Sequence, residues 1–182
     1  MRTLVLVLTL GCGGSQQAVT PAAPAEQPPA STPEPAEPST TTGDPATRRN
    51  ATVVPGDQAT LAALPKEVVD AQKRAATLAW QAYGPDRRFA LVSGSLESGA
   101  FAALVEVKAG SAAFWHMHGK DVRIVVLAGI VEYLESGQPT HTLAPGSSVL
   151  QPGGYKHSES CKAGSDCLLY VHGDRGFDVK PL

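Results

Sequence analysis

Two stretches of this 182-residue chain place glycine, proline and histidine at regular intervals. The first, Gly110–Gly129, contains His116 and His118, and the second, Gly146–His157, ends in a third histidine. Side chains alternate across a β-strand, so His116 and His118 lie on one face if their segment is a strand. His157 follows a turn made of proline and two glycines and can return beside them on a neighbouring strand. The pattern therefore predicts three converging imidazoles, a donor set that suits a divalent metal with open coordination positions.

From Phe89 onward, short segments with β-type alternation are separated by glycine-containing turns. Many short strands at close spacing predict an antiparallel double-sheet barrel, the arrangement by which such chains protect their sheet edges. The predicted strands are residues 89–93, 101–108, 114–118, 123–127, 130–135, 140–143, 148–151, 155–160 and 167–172.

One helix is predicted before the barrel, over residues 65–83. Pro65 suits a first helical position, and Gly84 with Pro85 ends the segment. Its apolar residues form one stripe, which predicts packing against the outside of the sheet.

The two histidine stretches resemble the two motifs of the cupin superfamily, and the resemblance covers roughly residues 89–182. The tail at residues 170–173 also resembles the closing strand of small single-domain cupins. Two family positions differ, because Val122 replaces the glutamate of the first motif and Cys161 replaces the asparagine of the second. The resemblance implies an all-β fold, a double-stranded β-helix (jelly-roll) cupin barrel with one N-terminal helix, preceded by a disordered tether. The matching positions are Gly110, His116, His118, Gly129, Gly146, Pro152, Gly154 and His157.

In cupins the matching histidines bind a divalent metal, so the resemblance implies an Fe, Zn, Ni or Mn site on His116, His118 and His157. Without the family glutamate, two outcomes stay open: a three-histidine metal site, or a cupin that has lost its metal. A three-imidazole site leaves the charge of the dication uncompensated, which favours an anionic or bidentate guest. Three other side chains are candidate replacements for the glutamate: Asp121, Glu106 and His172, of which His172 is the preferred one.

Cys161 and Cys167 flank a short loop. In an oxidising compartment two cysteines placed across a hairpin tip can form a disulfide. The competing interpretation makes Cys161 a reactive thiol near the metal.

The N-terminal region predicts export. Residues 1–12 have a positive start and a short apolar run that ends in a lipobox-like sequence, so Cys12 is the predicted lipidation site. A plain cleavable signal or a misplaced start codon are the alternatives. Residues 13–56 are rich in Pro, Ala, Ser and Thr and predict a disordered linker. We therefore expect a cupin domain at residues 57–182, lipid-anchored in the periplasm or cell envelope, or alternatively secreted.

Three functions agree with these features. The first is an exported, membrane-tethered cupin that binds a divalent metal and a small polar or anionic ligand. The second is a three-histidine metal-dependent dioxygenase, and the third is a metal-free ligand-binding or sensor cupin. The formal charge of −2 and the absence of a basic cluster argue against nucleic acid as a partner. Pairing as a homodimer is an expectation from the cupin resemblance alone.

Overall fold

The computed structural model describes residues 50–182, which form two helices, a short 3-10 turn and twelve strands. The helices are α1 (Gln58–Ala62) and α2 (Lys66–Arg74), and the 3-10 turn is Ala75–Thr77. The strands are β1 (Thr52–Val54), β2 (Gln81–Ala82), β3 (Arg87–Gly94), β4 (Phe101–Val107), β5 (Phe114–Met117), β6 (Val122–Ala128), β7 (Val131–Glu135), β8 (His141–Leu143), β9 (Ser148–Gln151), β10 (His157–Cys161), β11 (Cys167–Gly173) and β12 (Lys180–Pro181).

The strands form two antiparallel sheets, which confirms the predicted all-β jelly-roll architecture. The larger sheet has the order β1-β9-β6-β11-β4-β3-β2, and the smaller one has the order β12-β5-β10-β7-β8. The inward-facing apolar residues of both sheets form one continuous core. That core includes Phe101, Ala103, Val122, Ile124, Val126, Tyr133, Val149, Leu169 and Val171.

Helix α2 packs on the outer face of the larger sheet, as its apolar stripe predicted. Val68 and Ala71 are buried there in a second cluster with Leu104 and Tyr170. This cluster lies on the outer face of the larger sheet, because alternation along the strands turns these side chains away from the core between the sheets.

The predicted extent of the helix, residues 65–83, is wrong in its second half. The helix ends at Arg74, and Trp80 folds back so that its indole N–H donates to the carbonyl of Ala75 at 2.8 Å. The chain then enters β2, which pairs with β3. Sheet pairing therefore overrides the helical propensity of this segment.

The sheet also begins earlier in the chain than the predicted domain boundary at residue 57. Strand β1 pairs with β9, so three residues assigned to the linker are part of the larger sheet. Helix α1 follows directly and is capped by Asp57, whose carboxylate accepts from the Thr60 N–H at 2.8 Å. Cys12, the predicted signal segment and the predicted linker as far as residue 49 lie outside the described residues. Within residues 50–182 no helix combines the length and apolarity needed to cross a bilayer.

A disulfide joins Cys161 at the end of β10 to Cys167 at the start of β11, with Cα atoms 5.8 Å apart. It therefore links the two sheets, and Cys161 is not a free thiol in this structure. Gly129 packs against this bond. Its φ is +76°, and a Cβ there would lie 2.6 Å from the Cys167 Sγ, which explains why this motif position needs glycine.

Candidate metal centre

The three predicted histidines meet on the inner face of the smaller sheet. Strands β5 and β10 are neighbours, and His116 lies directly opposite His157 in their register. His118 follows the end of β5 and shares the inward face of His116. All three side chains are buried, and one ring nitrogen from each lies within 4.8 Å of the others.

Backbone carbonyls orient all three imidazole rings in the same way. The Nδ1 atoms of His116, His118 and His157 lie 2.9, 2.6 and 3.0 Å from carbonyls of Phe114, Asp178 and Tyr155 respectively. A carbonyl only accepts hydrogen bonds, so each Nδ1 carries the proton and each Nε2 presents its lone pair. This is the ring orientation that metal-ligating histidines adopt.

The electrostatics favour neutral rings at physiological pH. Burial is the main cause that lowers the pKa of His157, to about 4. Burial likewise holds the pKa of His118 below its usual value. Neutral imidazole is the form that binds a metal.

The donor set fits a divalent cation. The Nε2 atoms of His116 and His157 are only 3.2 Å apart. With both protons on Nδ1, two lone pairs face each other without a hydrogen between them. A cation held by both nitrogens removes this repulsion, so the described geometry is that of a site which could hold a metal.

A carboxylate that was not predicted from the sequence lies beside two of the three histidines. Glu159 lies two residues after His157 on β10, and its Oε2 is 3.7 Å from the His116 Nε2. Its Oε1 is 3.8 Å from the His157 Nε2 and accepts a hydrogen bond from the Gln151 Nε2 at 2.5 Å. Burial opposes ionisation, but His116, His157 and the Gln151 amide together hold the pKa of Glu159 below its usual value. The signal was available in the sequence, because residues two apart on a strand share a face.

The predicted replacements for the family glutamate lie elsewhere. Asp121 accepts a hydrogen bond from the Gly153 N–H at 3.0 Å, next to the turn of the second motif. Glu106 forms a bidentate ion pair with Arg88, at 2.9 and 2.7 Å, and also contacts Lys108. Val122 itself is buried in the apolar core, where it lies opposite Gln151 in the register of β6 and β9.

His172, the preferred fourth imidazole, is a wrong prediction. It lies opposite Arg123 in the register of β11 and β6, and its ring centroid is 5.6 Å from that of Tyr170, a residue of the outer cluster. Val171 takes the inward position and packs in the core. Alternation along β11 therefore turns His172 away from the three histidines.

The cluster borders a cavity of about 300 Å³ between the sheets. His116, His118, Gln151 and Glu159 form the polar part of its wall. Arg87 also lines it, with its guanidinium carbon 5.1 Å from the centroid of the Phe114 ring. The remaining wall is largely apolar and comprises Tyr83, Phe89, Val105, Val107, Phe114, Ile124, Leu169, Val171, Phe177 and Val179.

Comparison with known families now identifies the domain. Residues 68–175 match the sequence profile described as the ChrR cupin-like domain, which spans more than half of the chain. The chain belongs to the ChrR cupin-like domain family. This membership confirms the cupin resemblance. No curated protein matches the sequence.

Several solved structures share the fold of this ChrR cupin-like domain at low identity. The polyketide cyclase RemF from Streptomyces resistomycificus is 15% identical with a TM-score of 0.51, covering 59% of this chain and 81% of that one. The DMSP lyase DddQ from Ruegeria pomeroyi DSS-3 is 21% identical with a TM-score of 0.50, covering 74% and 80%. A chain from the Rhodobacter sphaeroides complex of SigE with the anti-sigma ChrR is 22% identical with a TM-score of 0.50, covering 60% and 56%. These likenesses show a shared fold.

Proposed function

We propose that this protein binds a divalent metal through His116, His118 and His157 and uses it to capture a small molecule in the adjacent cavity. The observation that carries the proposal is the pair of Nε2 lone pairs facing each other at 3.2 Å beside an open cavity. When bound, the metal would supply Lewis acidity that polarises an oxygen atom of the guest. The protein supplies the fixed rings and a cavity wall that excludes water from them.

The cavity lining suggests the chemical class of the guest. A volume of about 300 Å³ lies at the small end of ligand sites, so the guest is a small molecule. Most of the wall is aliphatic or aromatic, which suits an apolar body. The metal end suits a carboxylate or another oxygen chelator. The Arg87 guanidinium lies on the same wall, where it is already paired with Asp86 at 2.5 Å. We therefore propose a small organic anion with an apolar body.

Metal analysis tests the first half of this proposal. The apo protein is incubated with Fe²⁺, Zn²⁺, Ni²⁺ or Mn²⁺ and desalted, and the bound metal is quantified. We expect about one metal per chain, lost in His116→Ala. His141→Ala is the matched control, because His141 lies on β8 of the same sheet but is exposed and outside the cluster. Absence of any bound metal in the wild-type protein would leave the metal-free sensor function as the better assignment.

Calorimetric titration of the zinc-loaded and apo proteins tests the second half. Benzoate and benzyl alcohol serve as probes with the same apolar body and different heads. We expect benzoate to bind the loaded protein more tightly than benzyl alcohol and to lose that advantage in the apo protein. Equal binding of benzoate to both forms would contradict capture through the metal.

We also propose that the domain is exported and lipid-anchored through Cys12, with residues 13–56 as its tether. The support is the sequence of the N-terminal region, in which a short apolar run ends at that cysteine and is followed by a proline-rich segment. Incorporation of radiolabelled palmitate in cells, lost in Cys12→Ser, is the expected result. Incorporation that persists in Cys12→Ser, or none in the wild type, would contradict the anchor.

A further inference from the structure

A buried carboxylate occupies the metal centre although the family position for it is filled by Val122. Resting on the metal site proposed above, we propose that Glu159 supplies the anionic ligand from β10 and that Gln151 positions it. The carboxylate then comes from the second motif, between His157 and Cys161 on β10, and not from the first.

The interatomic distances allow Glu159 to share one metal ion with His116 and His157. Two ligand atoms that each lie about 2.1 Å from the same ion can be at most about 4.2 Å apart. Three separations in the cluster meet this condition: 3.2 Å between the His116 and His157 Nε2 atoms, 3.7 Å from His116 Nε2 to Glu159 Oε2, and 3.8 Å from His157 Nε2 to Glu159 Oε1. These separations are compatible with one ion held by the two rings and the carboxylate.

Glu159 also lacks the cation that a buried carboxylate ordinarily needs. Only 9% of the residue is exposed. Among residues 50–182, no lysine or arginine lies within the 4.0 Å ion-pair distance of its side chain, and the basic groups within that distance are the imidazoles of His116 and His157. An unpaired charge in the interior is strongly unfavourable. A divalent ion on the histidines would provide the missing counter-charge.

Gln151 positions the carboxylate through the hydrogen bond from its Nε2 to the Glu159 Oε1 at 2.5 Å. An ionised carboxylate only accepts hydrogen bonds, so the amide must present its NH₂ group to Glu159. The Gln151 Oε1 then faces a fully buried position with no hydrogen-bond donor in the described part of the chain. A buried acceptor without a partner is rare and costly. Directing the NH₂ group toward Glu159 therefore leaves one buried acceptor of Gln151 without a partner.

A carboxylate ligand changes the expected metal preference. Three imidazoles alone retain hard ions such as Mn²⁺ weakly, because these ions prefer oxygen donors. With Glu159 as the fourth ligand, the site has one negative charge and one hard oxygen donor. Mn²⁺ and Fe²⁺ therefore become plausible occupants alongside Zn²⁺.

Chelator competition on Glu159→Gln tests this assignment. The substitution keeps the size of the side chain and removes its charge. We expect the dissociation constants for Zn²⁺ and Mn²⁺ to rise about 100-fold or more, with the larger rise for Mn²⁺. Glu132→Gln on β7 is the matched control, since Glu132 pairs with Lys162 at 3.3 Å and lies outside the cluster. The control should bind both metals like the wild type. A rise of less than tenfold in Glu159→Gln would overturn the ligand role.

Infrared difference spectroscopy on the wild-type protein gives a second readout that needs no folded variant. Adding Zn²⁺ to the apo protein should shift a carboxylate stretching band, and this band decides the assignment if the rise in dissociation constant is intermediate. A spectrum without such a shift would also overturn the proposal. The two proposals fail separately: if the wild type binds no metal, the metal centre itself is wrong, whereas tight binding that survives Glu159→Gln removes only the role of Glu159.

Discussion

The two sheets of this jelly roll contribute different chemistry to the same interior. The smaller sheet carries His116, His157 and Glu159 on its inner face, and His118 follows its strand β5. The larger sheet faces them with a mostly apolar wall that includes Val105, Ile124, Leu169 and Val171, with Gln151 and Arg87 as its polar residues. Helix α2 covers the outside of the larger sheet.

This contrast between a polar inner face and an apolar one indicates that the two sheets have different roles. The smaller sheet carries the candidate metal donors, because the converging side chains are on or beside β5 and β10. The larger sheet determines stability and the shape of the cavity, because it is packed on both faces. Substitutions in the two sheets should therefore have separable effects on metal affinity and on the free energy of unfolding.

The largest expected effect is on metal affinity in the smaller sheet. His157→Ala removes one of three ring donors, so we expect the Zn²⁺ dissociation constant to rise at least about 1,000-fold, or roughly 4 kcal/mol. Chelator competition measures it. Affinity close to that of the wild type would show that His157 is not a ligand and would break the comparison between the sheets.

A substitution in the larger sheet should instead lower the free energy of unfolding and leave the metal affinity unchanged. Leu104 on β4 is fully buried beneath helix α2, so Leu104→Ala leaves a cavity there. We expect a loss of roughly 3–4 kcal/mol in the free energy of unfolding, measured by urea denaturation of the apo protein. The Zn²⁺ affinity of the folded variant should stay within about threefold of the wild type. A large loss of affinity would show that the two sheets are not separable.

The buried histidines of the smaller sheet should also make the apo protein sensitive to acid. The folded-state pKa of His157 is lowered to about 4, and that of His118 is lowered in the same direction, while the unfolded chain titrates near 6.5. The unfolded state then binds more protons between these values, so the stability is fully present above pH 6.5 and is lost as the pH falls toward 4. We expect a decrease of roughly 2–3 kcal/mol over that interval.

Denaturant titrations in the presence of EDTA at several pH values measure this decrease. His157→Gln should flatten the dependence, because the replacement does not titrate. An equally steep dependence in this variant would assign the acid sensitivity to other groups, including His172, whose pKa is also lowered by its burial.

The smallest of the four effects concerns the disulfide between the sheets. Cys161 and Cys167 close a short loop, so removing the bond with Cys161→Ser and Cys167→Ser should cost about 2 kcal/mol of unfolding free energy. Urea denaturation with and without reductant measures it. The wild type under reducing conditions should approach the double variant, and a double variant as stable as the oxidised wild type would contradict this contribution.

The sequence predicted the barrel well because glycine and histidine spacing reports local geometry. Gly129 is a clear case, since its positive φ and its contact with Cys167 both exclude a side chain. Alternation also placed His116 and His118 correctly on one face. The same rule applied to β10 would have found Glu159, but the comparison with the family motif directed attention to position 122 instead.

Other features could not be predicted because they depend on partners distant in the chain. The register of β11 with β4 and β6 determines that the Val171 side chain, and not that of His172, faces the core. The end of helix α2 depends on the pairing of β2 with β3, and β1 joins the sheet only because β9 offers an open edge. None of these partners is visible in the local pattern of the segment concerned.

The position of β11 also has a consequence for the order of events during folding. This strand is the last long one in the chain, yet it lies in the middle of the larger sheet, between β4 and β6. Neither neighbour has its final partner until residues 167–173 pair with it, and such non-local pairing is slow. The wall opposite the histidines is therefore completed late. The cavity beside the histidines therefore takes its final shape only after β11 has paired with both neighbours.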